Sequence, residues 1–116
     1  MINIYTDEEK SQKIKKVQKK LEKLFKNSDE KDKKLIRGLT ERAAFMEVTL
    51  QELEEDIKKE GCIEEYQNGA NQKGVKKSSK VEVYNTMSKN YASIIKQLQE
   101  MLNRQKAVSG DEFTDF

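Results

Sequence analysis

Between Lys10 and Lys26 the chain carries eight lysines, Lys10, Lys13, Lys15, Lys16, Lys19, Lys20, Lys23 and Lys26, against the single acid Glu22. Ammonium groups at that density suit contact with a polyanion: each is a point charge able to neutralise a phosphate, without the planar fork that reads a base edge. Such a run also occurs as a plain solvated helix face, and the charge pattern alone leaves both readings open. Arg37 and a second set, Lys73, Lys76 and Lys77, are further candidates for phosphate contact.

Little in the sequence suggests bond-making chemistry. With no histidine among 116 residues, the chain has neither the usual general base near neutral pH nor the commonest zinc ligand. Its one cysteine, Cys62, cannot form an internal disulfide. The segment GANQKGVKKSS holds glycine, lysine and serine but not in the GxxxxGK[ST] order of a phosphate-binding loop. Glu52, Glu54, Glu55, Asp56, Glu60, Glu64 and Glu65 lack the convergent spacing of a metal site or an acid–base pair, and a solvated face or a surface meeting a basic neighbour accounts for them better. The expectation is a protein without catalytic residues, metal or cofactor, not an enzyme.

The elements that must position the lysines are helical. Thr6-Asp7-Glu8-Glu9 is a capping box with acids in the first turn, where they complement the helix dipole. Ile14, Val17, Leu21, Leu24 and Phe25 then step by three and four along one stripe, leaving the lysines around the remainder. Asn27-Ser28-Asp29-Glu30 ends that pattern and starts a second helix. Its seam is Leu35, Leu39, Ala43, Met46, Leu50, Leu53 and Ile57, widened by Ile36, Ala44 and Phe45, and Gly61 is its expected C-terminal cap. A third helix, opened by a capping box of Ser79 and Glu82, presents Tyr84, Met87, Tyr91, Ile94, Leu98 and Met101 and fades between Arg104 and Ala107.

Residues 61–87 separate the two long helices. Gly61, Gly69 and Gly74 are three of the five glycines, and Asn68-Gly69 tolerates the positive φ of a tight reversal. Cys62, Ile63 and Tyr66 on one arm and Val75 on the other predict a small irregular β-hairpin. The fold expected is therefore mainly α: three helices, with helices 2 and 3 a long antiparallel pair joined by the hairpin, and helix 1 on the open side or against a neighbouring subunit. Tyr66, Tyr84 and Tyr91 read as packing residues, and Asn68, Asn71, Gln72 and Asn85 as turn chemistry. Residues 1–107 form the helical domain, Val108-Ser109-Gly110 a linker, and 108–116 an acidic flexible tail.

With 34% hydrophobic and 38% charged residues, the core must be thin, which favours helices that share a seam with a partner copy. The net charge of +2 is sorted into blocks: twelve basic against four acidic residues from Lys10 to Arg37, and eight acidic against two basic from Glu47 to Glu65. The opening MINIYTDEEK has no signal pattern, and no apolar run nears the ~20 residues of a membrane span, so a soluble cytoplasmic protein is expected.

The runs AAFMEVTLQELEEDIKKEG, EEYQNGANQKGVKKS and VEVYNTMSKNYASIIKQLQEML, with the acidic, phenylalanine-bearing end, resemble the small terminase subunits of tailed bacteriophages. The resemblance covers about residues 39–116, and its most specific parts are YQNGANQKGVKKS and YNTMSKNY. It implies a non-catalytic part of a DNA-packaging motor in the host bacterial cytoplasm. Such a protein would be a ring-shaped homo-oligomer of about eight to twelve subunits that binds double-stranded viral DNA and recruits or regulates the large ATPase/nuclease subunit. It tips the lysines and Arg37, Lys76 and Lys77 toward DNA contact. It also suggests Phe113, Phe116, Asp111, Glu112 and Asp115 as a docking segment for the large subunit. The rival expectation is a coiled-coil interaction protein with no nucleic-acid role.

Overall fold

The computed structural model describes residues 4–67, 69 and 73–109. Helix α1 spans Asp7–Lys23, α2 Glu30–Glu60, strand β1 Ile63–Gln67, β2 Lys73–Lys77 and α3 Ser79–Ser109. The molecule is a rod of 68 × 27 × 26 Å. Helix α2 is its spine, packed on one side by α1 and on the other by α3, and both neighbours run antiparallel to it. Helix 1 thus lies against its own chain.

Each boundary has a local cause. Thr6 Oγ1 accepts from the Glu9 amide at 3.1 Å while the Thr6 amide donates to Glu9 Oε1 at 3.2 Å, the reciprocal pair that starts α1. Asp29 caps α2 through the Asp32 amide at 2.9 Å. Gly61, at φ +84°, ends α2 by donating to the Ile57 carbonyl at 2.7 Å, a backbone conformation closed to most side chains. The hairpin is antiparallel in the register Ile63↔Lys77, Glu65↔Val75 and Gln67↔Lys73, and Ser78 N donates to Cys62 O at 2.8 Å to close its base.

That closing bond moves the start of α3. Ser78, held as an extension of the hairpin, is the cap rather than Ser79: its Oγ accepts from the Lys80 amide at 3.2 Å. At the other end, α3 runs through Ser109, two residues past the point where the apolar stripe fades. Val108 and Ser109 belong to its last turn instead of a linker.

Buried apolar side chains run along α2 from Ile36 through Ala43, Ala44, Val48 and Leu50 to Leu53, and toward one end of the rod Phe25, Ile36, Ala43, Leu98 and Met101 cluster, flanked by Leu21, Leu39, Tyr91, Ile94, Ile95 and Leu102. Gln105 of α3 seals this end, accepting from the Ser28 hydroxyl and donating to the Leu24 carbonyl at 3.3 Å. The seam of α2 differs from the heptad expectation: Leu35 is 57% exposed and Ile36 is buried in its place. Because α1 and α3 cover different faces of α2, its buried surface is broader than a single stripe.

The largest departure concerns Glu52 and Asp56, expected on a solvated face or on a surface meeting a basic neighbour. Both are buried, at 5% and 1% exposure. Glu52 faces Lys10 of α1 at 2.7 Å, and Asp56 faces Lys80 of α3 at 3.5 Å. A buried carboxylate is tolerated when a cation comes with it, and here each cation arrives from a different helix.

Candidate nucleic-acid interface

Helix α1 carries the candidate surface, and one face anchors it while the other stays in solvent. Ile14, Val17, Gln18, Leu21 and Glu22 are half-buried toward α2. At 100° per residue, Lys16, Lys19 and Lys23 lie near the middle of the opposite face, with Lys13 and Lys20 on one flank and Lys15 on the other. All six are exposed, as is Lys26 just beyond the helix.

The eight lysines are not equivalent. Lys10 is drawn inward, paired with Glu52 at 2.7 Å and set 5.1 Å from the Phe45 ring centroid. Lys13 sits 4.7 Å from the Tyr5 ring centroid, a cation–π contact that leaves its ammonium free to meet an anion. Lys15, Lys16, Lys19, Lys20, Lys23 and Lys26 make no ion pair among the described residues. Glu22, the one acid of the block, is occupied by the Gln18 side-chain amide at 3.0 Å. The first half of α1 forms a shallow groove lined by Gln12, Lys13, Lys15, Lys16 and Lys19 with Glu9 at its end. The Glu9 carboxyl is held below the ordinary carboxylate range by the Thr6 backbone and hydroxyl, so it stays ionised as a cap.

The fold brings Arg37 to this surface. Lys26, Lys33 and Arg37 line a cleft of about 310 Å³ walled by Phe25 and Ile36, with Glu22 at its edge. Lys33 was not among the residues singled out from sequence. Its i,i+4 spacing from Arg37 was the available signal, masked by an exposed pairing with Glu30 at 3.4 Å.

The hairpin lysines stand apart, at the end of the rod where α1 begins. Lys76 is tied across the strands to Glu64 at 3.4 Å, and Lys77 is exposed opposite Ile63. Lys80 is committed to Asp56 and Glu60, and its ammonium is raised above the ordinary lysine range first by the Glu60 hydrogen bond. Of the second basic set, Lys77 has no ion pair among the described residues, while Lys73 is described by its backbone alone.

The aromatics serve packing. Tyr91 lies against the core cluster and its hydroxyl donates to Glu47 at 2.9 Å; burial, then that carboxylate, pushes the phenol up to about 12. Tyr84 donates to Glu54 at 2.9 Å, and this bond raises its phenol as well. The side chain of Tyr66, and residues Asn68, Asn71 and Gln72, lie outside the described set. So do Asp111, Glu112, Phe113, Asp115 and Phe116.

Among the described residues no three cysteine or carboxylate side chains converge on a point that would hold a metal ion. No helix there is long and apolar enough to cross a membrane. What the arrangement offers chemically is a convex cationic strip about 25 Å long, the length of a seventeen-residue helix. Compared with family models, with curated proteins and with solved structures, the chain has no match.

Proposed function

We propose that the chain is a DNA-binding adaptor of the terminase small-subunit kind. It would bind double-stranded DNA as a ring-shaped homo-oligomer in the host bacterial cytoplasm and recruit or regulate a large ATPase/nuclease subunit. The observation that carries the DNA-binding part is the unneutralised lysine face of α1. Six exposed ammonium groups without acidic partners among the described residues repel one another, and a phosphate backbone relieves that repulsion. The ring, the large subunit and the packaging role rest on the sequence resemblance.

Contact of this kind reads phosphate rather than sequence. Lysines on a convex helix surface position a duplex without matching donor and acceptor patterns, so affinity for unrelated duplexes should be alike and fall steeply with salt. If the six unpaired lysines of α1 and the turn each neutralise one phosphate, the slope of log K against log salt is about −5. A single strip binds weakly, and repeating it around a ring multiplies the effect. The acidic, phenylalanine-bearing residues after Ser109 supply the contact with the large subunit.

The rival reading is a coiled-coil interaction protein with no nucleic-acid role. The exposed groove lined by Met46, Val83 and Met87 favours association of some kind under either reading. Native mass and duplex titration across salt separate them. A homo-oligomer of about eight to twelve subunits with a steep salt slope supports the adaptor. A stable dimer or monomer that ignores DNA removes it.

A further inference from the structure

The corner where α1 turns into α2 has what an acidic, aromatic peptide would need. Its cations include Lys26 and Arg37, neither of which pairs with an acid among the described residues. Phe25 and Ile36 also line the cleft, but each is only 4% exposed and belongs to the core. Two of the large exposed apolar side chains, Leu24 at 52% and Leu35 at 57%, belong to the same corner.

The end of α3 arrives at this corner. Gln105 is bonded to Ser28 and to the Leu24 carbonyl, and Arg104, exposed and unpaired among the described residues, lines a second cleft that shares Ile36 with the first. From Gln105 to Ser109 the helix advances about 6 Å. The seven residues that follow, GDEFTDF, can span up to ~24 Å when extended. They carry Asp111, Glu112 and Asp115 with Phe113 and Phe116, the complement of cations that stand beside exposed leucines.

We infer that residues 110–116 dock on the α1–α2 corner of their own chain, with the carboxylates on Lys26 and Arg37 and a phenylalanine against the exposed Leu24 or Leu35. The side of the corner is fixed by charge. Asp29 and Asp32 line the second cleft, so the acidic segment crosses toward Arg37 instead of settling over them. Docked there, the segment covers the end of the cationic strip and competes with DNA phosphates for the same ammonium and guanidinium groups. This competition rests on the DNA-binding reading above; the docking does not. Any partner that captures Phe113 and Phe116 would release Lys26 and Arg37, coupling partner binding to DNA affinity.

The test uses the full chain with a photo-crosslinking residue at one tail position, Phe113→p-benzoylphenylalanine, prepared as a mixture of light and heavy isotope-labelled protein. Cross-links concentrated on residues 24–37, joining only peptides of the same isotope, are the expected result. Cross-links scattered over the surface, or pairs of mixed isotope that place the tail on a second copy, would overturn same-chain docking. In parallel, duplex DNA is titrated into the unlabelled native chain and into the full chain carrying Asp111→Asn, Glu112→Gln and Asp115→Asn. The neutralised tail should tighten binding by about fivefold at low salt, and the difference should shrink as salt screens both contacts. Equal affinity of the two proteins would overturn the competition. Corner cross-links in a protein that binds no DNA at all would leave the docking standing and remove the DNA-binding reading instead.

Discussion

Lys10 Nζ and Glu52 Oε1 lie 2.7 Å apart across the α1–α2 interface, and the same carboxylate accepts from the Tyr5 amide at 3.4 Å. This contact carries more of the attachment of α1 than its size suggests, because no residue of α1 is fully buried. The helix is held at its start by Glu52 and at its far end by Phe25, which lies just past it in the core. Between those points the side chains that meet α2, Ile14, Val17, Gln18, Leu21 and Glu22, are no more than half-buried. The helix that presents the lysines is therefore the least anchored of the three.

Removing either partner should destabilise the chain, and unequally. Glu52→Gln leaves Lys10, 26% exposed on a flexible stem, free to swing into water, for a loss of about 1–2 kcal/mol. Lys10→Met strands a carboxylate only 6% exposed and should cost more, about 2–4 kcal/mol. Denaturant midpoints of the two variants give the order, and the reverse order would mean that the Tyr5 amide alone satisfies Glu52.

The opposite interface of α2 has its own alkaline weakness. Lys80 reaches Asp56 and Glu60, and its folded pKa lies above the ordinary lysine value. A raised lysine contributes stability that is complete below the unfolded value of about 10.4 and is lost as pH rises through the folded one. Thermal midpoints of the native chain should therefore fall above about pH 10.4, and Lys80→Met should shrink the part of that fall owed to this residue. An unchanged alkaline profile in the variant would show that Lys80 does not hold α3 to α2.

Tyr91 gives a spectroscopic check on the α2–α3 pairing. Its phenol is pushed up to about 12, by burial first and by Glu47 second. Phenolate formation followed by ultraviolet absorbance should show one tyrosine ionising roughly two pH units later than an ordinary tyrosine near 10, absent in Tyr91→Phe. The sign follows from linkage: the unfolded chain releases this proton first, so the contribution of Tyr91 is complete below about pH 10 and is lost as pH climbs toward the folded value.

Two glycines should respond to alanine with opposite signs. At Gly38, inside α2, an added Cβ would meet only Arg42 Nη1 at 3.5 Å, an ordinary contact, so Gly38→Ala should gain about 0.5–1 kcal/mol of helix propensity. At Gly61 nothing lies within 4 Å of an added Cβ, yet φ is +84° with ψ near 180°. Gly61→Ala should lose about 1–3 kcal/mol through backbone strain alone. Denaturation of the two variants decides; a neutral Gly61→Ala would mean that the end of α2 relaxes without the hairpin noticing.

The helices and the hairpin were legible because they depend on local signals: the Thr6–Glu9 box, Asp29, Gly61 and the spacing of apolar residues. What escaped was whatever depends on a distant partner. Glu52 and Asp56 read as solvated because their cations, Lys10 and Lys80, lie 42 residues earlier and 24 residues later in the chain. Leu35 and Ile36 exchanged places because a heptad describes one neighbour and α2 has two. The same limit applies to the interface: spacing put eight lysines around a helix, but only the fold separates Lys10, committed to Glu52, from six that have no acidic partner among the described residues.

That separation makes the DNA-binding reading open to a sharp experiment. Charge reversal of Lys16, Lys19 and Lys20 removes three phosphate contacts from the open face, so the salt slope on any duplex should flatten by about 3, alike for unrelated sequences. Lys10→Met should leave the slope unchanged once the folded fraction is corrected for, although it too removes a positive charge from the same helix. Equal flattening per charge at Lys10 and at Lys16 would mean that binding answers to net charge and not to this face. Unchanged binding by the triple reversal would move the DNA surface away from the middle of this face, leaving Lys15, Lys26, Lys33, Arg37 and Lys77 among the cations to test.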